Sequence, residues 1–288
     1  MDLTGIQRWI EEKMPRLDRS RVSRGLAVAL PLVISAVCMA VLASLRSLDF
    51  EGLARFLRSP IFWAAMFVTH QMCTWLTTLR WRILLSAQSD SAPPLGRLFL
   101  ISWATQFVAL LPVGPVVTEM TRFGYMFKGL GMGASASART VLWDRVYGFA
   151  GLVFLLGILF LSIHAGATAL ILGLPLYFIE RRALLLLAIS ALVHVLKAGL
   201  ILFLIVGLPV TEVTLILRQG LETMLGLLAE ALPLSWNGLG LGHLAFEIQS
   251  PGRGAEVFNV FFTGKLAFNF LGVVPFLWSV YFFARRKK

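Results

Sequence analysis

Charged side chains are absent from residues 25 to 45, a length that crosses the hydrocarbon core of a bilayer as one helix. Comparable apolar runs at 61–79, 141–163, 167–179, 183–206 and 257–283 bring the expectation to about six transmembrane helices. The run at 167–179 is short and contains Pro175, which makes it the weakest of the set. Two further stretches, 98–127 and 213–248, are apolar but interrupted. The first breaks at Leu111-Pro112-Val113-Gly114-Pro115 and the second at Leu232-Pro233, continuing through Gly238-Leu239-Gly240. Each arm flanking the first break is shorter than the roughly 20 residues of a span. Both stretches therefore read as re-entrant helical hairpins.

An unpaired backbone amide or carbonyl costs several kcal/mol in hydrocarbon, so broken helices persist there only against protein or a polar cavity. Matching breaks in the two halves of a membrane chain mark a binding site, with Pro112, Gly114, Pro115, Pro233, Gly238 and Gly240 as the hinge positions. Three full spans separate the hairpins, so they enter from opposite faces, as an inverted repeat does. The fold class expected is an all-α integral membrane protein with two opposed hairpins.

Composition narrows the picture further. The 288 residues are 58% hydrophobic and 14% charged, where a soluble domain carries about 25% charged residues. Residues 1–24 form a basic leader, 25–284 a single transmembrane domain, and 285–288 a basic tail. The formal charge is +11, yet the basic residues gather at span ends, which suits anionic headgroups and excludes a nucleic-acid surface. With the N-terminus in the cytoplasm, 19 Lys and Arg lie inside, five outside, and Lys197 and Lys265 within spans. This asymmetry places both termini on the cytoplasmic side of the cell membrane. Cys38 and Cys73 both fall in predicted spans, so no disulfide and no cysteine metal site is expected.

Several polar pairs occupy single helix faces. Glu119 and Arg122 stand at i, i+3 after the first break, either as a self-satisfied ion pair or as part of a site. Asp144 and Arg145 open the span after it, where a capping acid and a snorkelling arginine are the plainer reading. His243 and Glu247 stand at i, i+4 beyond the second break, either as a proton-sensitive pair or around a structural histidine. They lack a third ligand and the His-Glu-x-x-His spacing, so no metal is expected. Lys265 lies too far from a span end to snorkel, and Asn269 at i+4 extends its polar face toward the bundle interior. The run from Lys128 to Gly133 lacks the Lys-Ser/Thr of a phosphate loop and reads as a flexible cytoplasmic linker. No cofactor is expected, and no Ser/His/Asp order or paired carboxylate supports hydrolysis.

Four patches together resemble a known family. They are Arg80-Trp81-Arg82-Ile83-Leu84-Leu85, Leu111-Pro112 to Arg122, Asp144-Arg145-Val146-Tyr147-Gly148, and Leu232-Pro233-Leu234-Ser235 through Gly240. Each is similar to a motif of the flippase-like membrane domain of lysylphosphatidylglycerol synthases and its stand-alone relatives. In this chain His243 stands where the family has an acid, and Asn237 replaces a glycine. The resemblance implies a protein that moves or binds lipids with anionic phosphate or aminoacyl headgroups, and no enzymatic activity is expected; the competing readings are an intramembrane enzyme acting on a lipid-linked phosphate and a lipid-binding accessory subunit. Its implied site is Glu119, Arg122, Asp144, Arg145, His243, Glu247 and Lys265, with Asp144 orienting Arg145 toward a lipid phosphate. Membrane phospholipids are the expected partners, with a lipid-modifying enzyme and self-association as further possibilities. Aminoacyl transfer, which resides in a separate soluble domain of the full-length synthases, is not expected of the short stretch after Phe283.

Overall fold

The computed structural model describes residues 33, 36, 37, 40, 57–88, 93–110, 114–163, 181–206, 220–228, 241–249 and 254–277. No strand occurs among the described residues. The leader, the run 167–179, both Leu-Pro breaks (111–113 and 229–240), Cys38 and the basic tail lie outside the described residues, as does most of 25–45.

The first long helix, α1, spans Pro60–Ser86. Its start is written in Ser59-Pro60: the Ser59 hydroxyl accepts the Phe62 amide at 3.3 Å, and the proline supplies the first helical φ. At 1.5 Å per residue its length is about 40 Å. Two prolines, Pro93 and Pro94, then force an extended backbone before α2, Leu95–Val108. The next helix, α3, is Gly114–Gly124 and ends in one π-helical turn, Tyr125–Gly129. Beyond it lie α4, Ala134–Ile163, and α5, Arg181–Val206. Residues 220–228 form α6, Leu241–Gln249 α7, and Gly254–Leu271 α8, with helical structure resuming over 273–277.

Three stretches are long and apolar enough to cross a membrane: Ala134–Ile158, Arg182–Phe203 and Val257–Leu277. Large apolar side chains remain exposed on them and on α1, among them Phe67, Phe149, Leu185 and Val274, as a lipid-facing surface requires. Helix α1 is equally long but carries Thr69, His70, Gln71, Thr74, Thr77 and Thr78 along its middle.

Contacts fix the helix directions. The Gly151 backbone meets Ser190, while Trp143 and Leu186 share a wall nearer their helix starts, so α4 and α5 run parallel. Arg80 reaches both Asp144 and Ser190, and Gln88 lies near Arg139 and Arg182, so α1 runs antiparallel to both. The C-terminal end of α1 thus shares a face with the starts of α4 and α5.

Two hydrophobic clusters hold the short helices at opposite ends of α1. Near its C-terminal end, Trp81 and Leu85 pack with Leu98 of α2 and with Tyr125 and Met126 after α3. The α2–α3 pair therefore leaves from and returns to this end, and the Thr118 hydroxyl donates to the Thr105 carbonyl at 3.2 Å between the arms. Near its N-terminal end, Phe62 and Met66 share a cluster with Met224 and Leu227 of α6, Phe246 of α7 and Phe258 of α8. A Cβ on Gly226 would lie 2.1 Å from the Phe246 ring, so only glycine lets α6 and α7 approach this closely.

The expected linker at 128–133 is more ordered than a flexible tether. Amides of Leu130 and Met132 donate to the Tyr125 and Met126 carbonyls, both at 3.1 Å, and Met126 is fully buried.

Candidate functional site

Arg80 and Arg82 are two residues apart on α1, which turns their side chains to opposite sides of the helix. Arg82 is exposed, whereas Arg80 is only 7% exposed and points into the bundle. The helix continues past the span end expected at residue 79, and Arg80 and Trp81 are both buried. A guanidinium survives that position because partners from two other helices neutralise and bond it. Its Nε donates to Asp144 Oδ1 at 2.7 Å and its Nη1 to Ser190 Oγ at 2.9 Å. The Ser190 hydroxyl in turn donates to the Leu186 carbonyl at 2.7 Å.

Asp144 uses its second oxygen for Arg122, whose Nη1 donates at 3.1 Å. Arg122 also lies 3.7 Å from Glu119 Oε1 and 5.5 Å above the Trp81 ring. Glu119 receives Arg145 as well, through Nη2. The ionic chain therefore runs Arg80, Asp144, Arg122, Glu119, Arg145, drawing on α1, α4 and α3 and braced on α5 by Ser190. Asp144 lies ten residues into α4, about 15 Å along the helix, so the chain sits at membrane depth.

One expected role changes. Asp144 does not orient Arg145, because neighbours in sequence diverge by about 100° around a helix and do not face one another. Asp144 instead anchors Arg80 and Arg122, while Arg145, about half exposed, is oriented by Glu119.

A cavity of about 290 Å³ opens beside this chain. Arg80, Arg122, Asp144, Arg145, Lys197 and Lys265 line it, together with His70, Gln106, Ala109 and Asn269. Five cationic side chains thus meet one lining carboxylate. Gln106 Nε2 donates to Thr74 Oγ1 at 2.9 Å, fixing α2 to the polar stripe of α1. Arg122 Nε is buried with no hydrogen-bond partner among the described residues, and His70 and Gln106 pair with each other on the same wall. A buried guanidinium N–H left this way is costly, and its place at the cavity matches a polar guest.

Of the residues expected at the site, Arg122, Asp144, Arg145 and Lys265 converge here, with Glu119 bonded to two of them. Lys265 and Asn269 share the wall, as their spacing indicates. His243 and Glu247 do not line this cavity. His243 is fully buried between α7 and α8, edge-on to Phe258 at 4.7 Å, with a side-chain hydrogen bond to Asn259. Glu247 is also buried, on the same helix. Among the hinge positions, Gly114 and Pro115 begin α3, Ala109 lines the cavity just before the first break, and Pro112, Pro233, Gly238 and Gly240 lie outside the described residues.

Arg80, Ser190, His70 and Gln106 were not singled out from sequence as site residues. For Arg80 the signal was present in the alternation of Arg80 and Arg82 about Trp81, but its partner lies 64 residues away.

A family model described as the lysylphosphatidylglycerol synthase TM region matches residues 28–179, more than half of the chain. The matched segment contains the Arg80, Leu111 and Asp144 patches, and the Leu232 to Gly240 segment lies beyond it. No curated protein and no solved structure matches the chain. With its membrane-length helices and this match, the chain belongs to the lysylphosphatidylglycerol synthase TM-region family, as a multi-pass membrane protein with a lipid-related role.

Proposed function

We propose that this protein binds the phosphate headgroup of an anionic phospholipid in the central cavity and carries it between leaflets while the acyl chains stay in the bilayer. The observation that carries this reading is the gathering of five cationic side chains around one cavity at membrane depth, against two carboxylates among the described residues, Asp144 in the lining and Glu119 paired with Arg122 and Arg145. Ionisable groups inside a membrane are costly and face protein or a pathway. Here Asp144 and Glu119 hold Arg80, Arg122 and Arg145 in place, and a phosphate supplies the remaining negative charge through charge-assisted bonds. Arg145, with its exposed guanidinium, is the group best placed to exchange Glu119 for substrate.

The opposite placement of the two helix pairs on α1 supports the finer architecture. The α2–α3 pair is held at one end and the α6–α7 pair shares its cluster with the other. We read these as opposed re-entrant hairpins of an inverted repeat, within six spans and with cytoplasmic termini. Alternating exposure of one central site then follows from rocking one repeat against the other. No covalent step is assigned, so the lipid leaves unchanged. A lipid-modifying enzyme fits as a partner, since a flipped lipid has to be made in one leaflet first.

The test uses purified protein in vesicles containing a trace of fluorescent phosphatidylglycerol, with leaflet exchange followed by quenching from outside. Wild type is expected to speed exchange, and Arg122→Gln with Lys265→Gln to lower the rate at least about tenfold, as loss of one charge-assisted contact would. Absence of acceleration across several headgroups would sink the transport reading. Appearance of a new lipid product would replace it with an enzymatic one.

A further inference from the structure

A second cavity, of about 530 Å³, lies where the C-terminal end of α1 meets the first turns of α4 and α5. It shares no lining residue with the central cavity. Arg139, Trp143 and Tyr147 line it from one face of α4 at successive i, i+4 positions, with Arg182 and Leu186 facing them from α5 and Gln88 from α1. Among the described residues no carboxylate lines it, and neither Arg139 nor Arg182 forms an ion pair.

The level of this cavity is set by the helices themselves. Two membrane-length stretches begin at Ala134 and Arg182, so both arginines lie within the first turns of a span, where hydrocarbon gives way to headgroups. Trp143 and Tyr147 continue the cavity wall one and two turns deeper, at the level of Asp144. Val146 and Val153 of α4 and Leu185 and Leu192 of α5, at i+3 and i+10 from Trp143 and Arg182, are exposed along the flank of the lining faces, an apolar surface suited to acyl chains.

We propose that this cavity is a structural binding site for one anionic phospholipid, its phosphate bridged by Arg139 and Arg182 and its acyl chains lying along α4 and α5. Charge complementarity selects an anion, and the apolar surface continuing from the charged mouth selects one that carries acyl chains. The site lies directly behind the buried ionic chain: Leu186 lines it, and the Leu186 carbonyl holds the Ser190 hydroxyl that bonds Arg80. A lipid seated here braces the α4–α5 wall of the central cavity without entering it.

Native mass spectrometry of the detergent-purified full chain, titrated separately with phosphatidylglycerol and phosphatidylcholine, tests this. Wild type is expected to hold two phosphatidylglycerols, one of them in the central cavity, and Arg139→Gln/Arg182→Gln to bind the other about thirtyfold more weakly, as expected for two basic residues near a headgroup. Arg122→Gln/Lys265→Gln, which alters only the central cavity, is expected to retain that lipid, so this inference and the transport reading fail separately. Arg139→Lys/Arg182→Lys keeps both charges and is expected to bind within a few-fold of wild type. Unchanged phosphatidylglycerol binding in the glutamine pair, equal binding of phosphatidylcholine by wild type, or equal losses in the lysine and glutamine pairs would each overturn the proposal.

Discussion

Asp144 holds two guanidiniums at once while only 3% exposed, and that arrangement makes it the residue whose loss does most harm. Asp144→Asn leaves Arg80 buried beside a neutral amide and removes the nearer partner of Arg122. Breaking a buried ion pair on one side costs about 3–5 kcal/mol, because a charge is stranded. Thermal unfolding in detergent is therefore expected to show a strong drop for Asp144→Asn. Arg145→Gln provides the contrast: its side chain is half exposed and its pair with Glu119 is worth at most about 1 kcal/mol of stability. Its melting curve is expected to stay near wild type while lipid exchange slows. A melting loss equal to that of Asp144→Asn would mean that Arg145 is structural and not a substrate contact.

At the scale of elements, the α4–α5 crossing is what positions Ser190 against Arg80. A Cβ on Gly151 would lie 2.5 Å from Ser190 Cβ and 2.8 Å from the Ala191 amide, so the two backbones touch. Close approach through a small residue is how membrane helices gain packing without a hydrophobic drive between them. Gly151→Leu is expected to separate the helices, at the 1–3 kcal/mol or more typical of overpacking, and to be read as a lowered unfolding midpoint. The all-helical character and the longest apolar helices are legible in the sequence. The span expected at 183–206 is found as the helix Arg181–Val206, because a long apolar run after Arg181-Arg182, with Lys197 its one charged residue, has one helical solution in a membrane. The span expected at 61–79 stops short of Arg80 because charge along a sequence reports polarity and not partners, and Arg80 is neutralised from a distant helix. His243 illustrates the converse: its helical spacing to Glu247 was legible, but the aromatic shell of Phe258 and Phe262 comes from the next helix.

For the whole molecule, the parallel course of α4 and α5 bears directly on topology. Consecutive parallel spans begin on the same face, so Gly131 and Arg182 lie on one side of the membrane, together with Gln88 at the end of α1. This is the condition under which the expected span at 167–179 counts as a crossing, and under which the two hairpins oppose each other. In the proposed topology, with cytoplasmic termini, that common face is the cytoplasmic one. In a background lacking Cys38 and Cys73, single cysteines at Gln88, Gly131 and Arg182 are expected to react with a membrane-impermeant thiol reagent only after the cytoplasmic side is opened. A cysteine at Arg253 is expected to react in intact cells. Labelling of Gly131→Cys and Arg182→Cys from opposite sides would remove a crossing, place both hairpins on one face and end the inverted-repeat reading. The central cavity could then still bind a headgroup, but two equivalent rocking halves would no longer exist to expose it alternately.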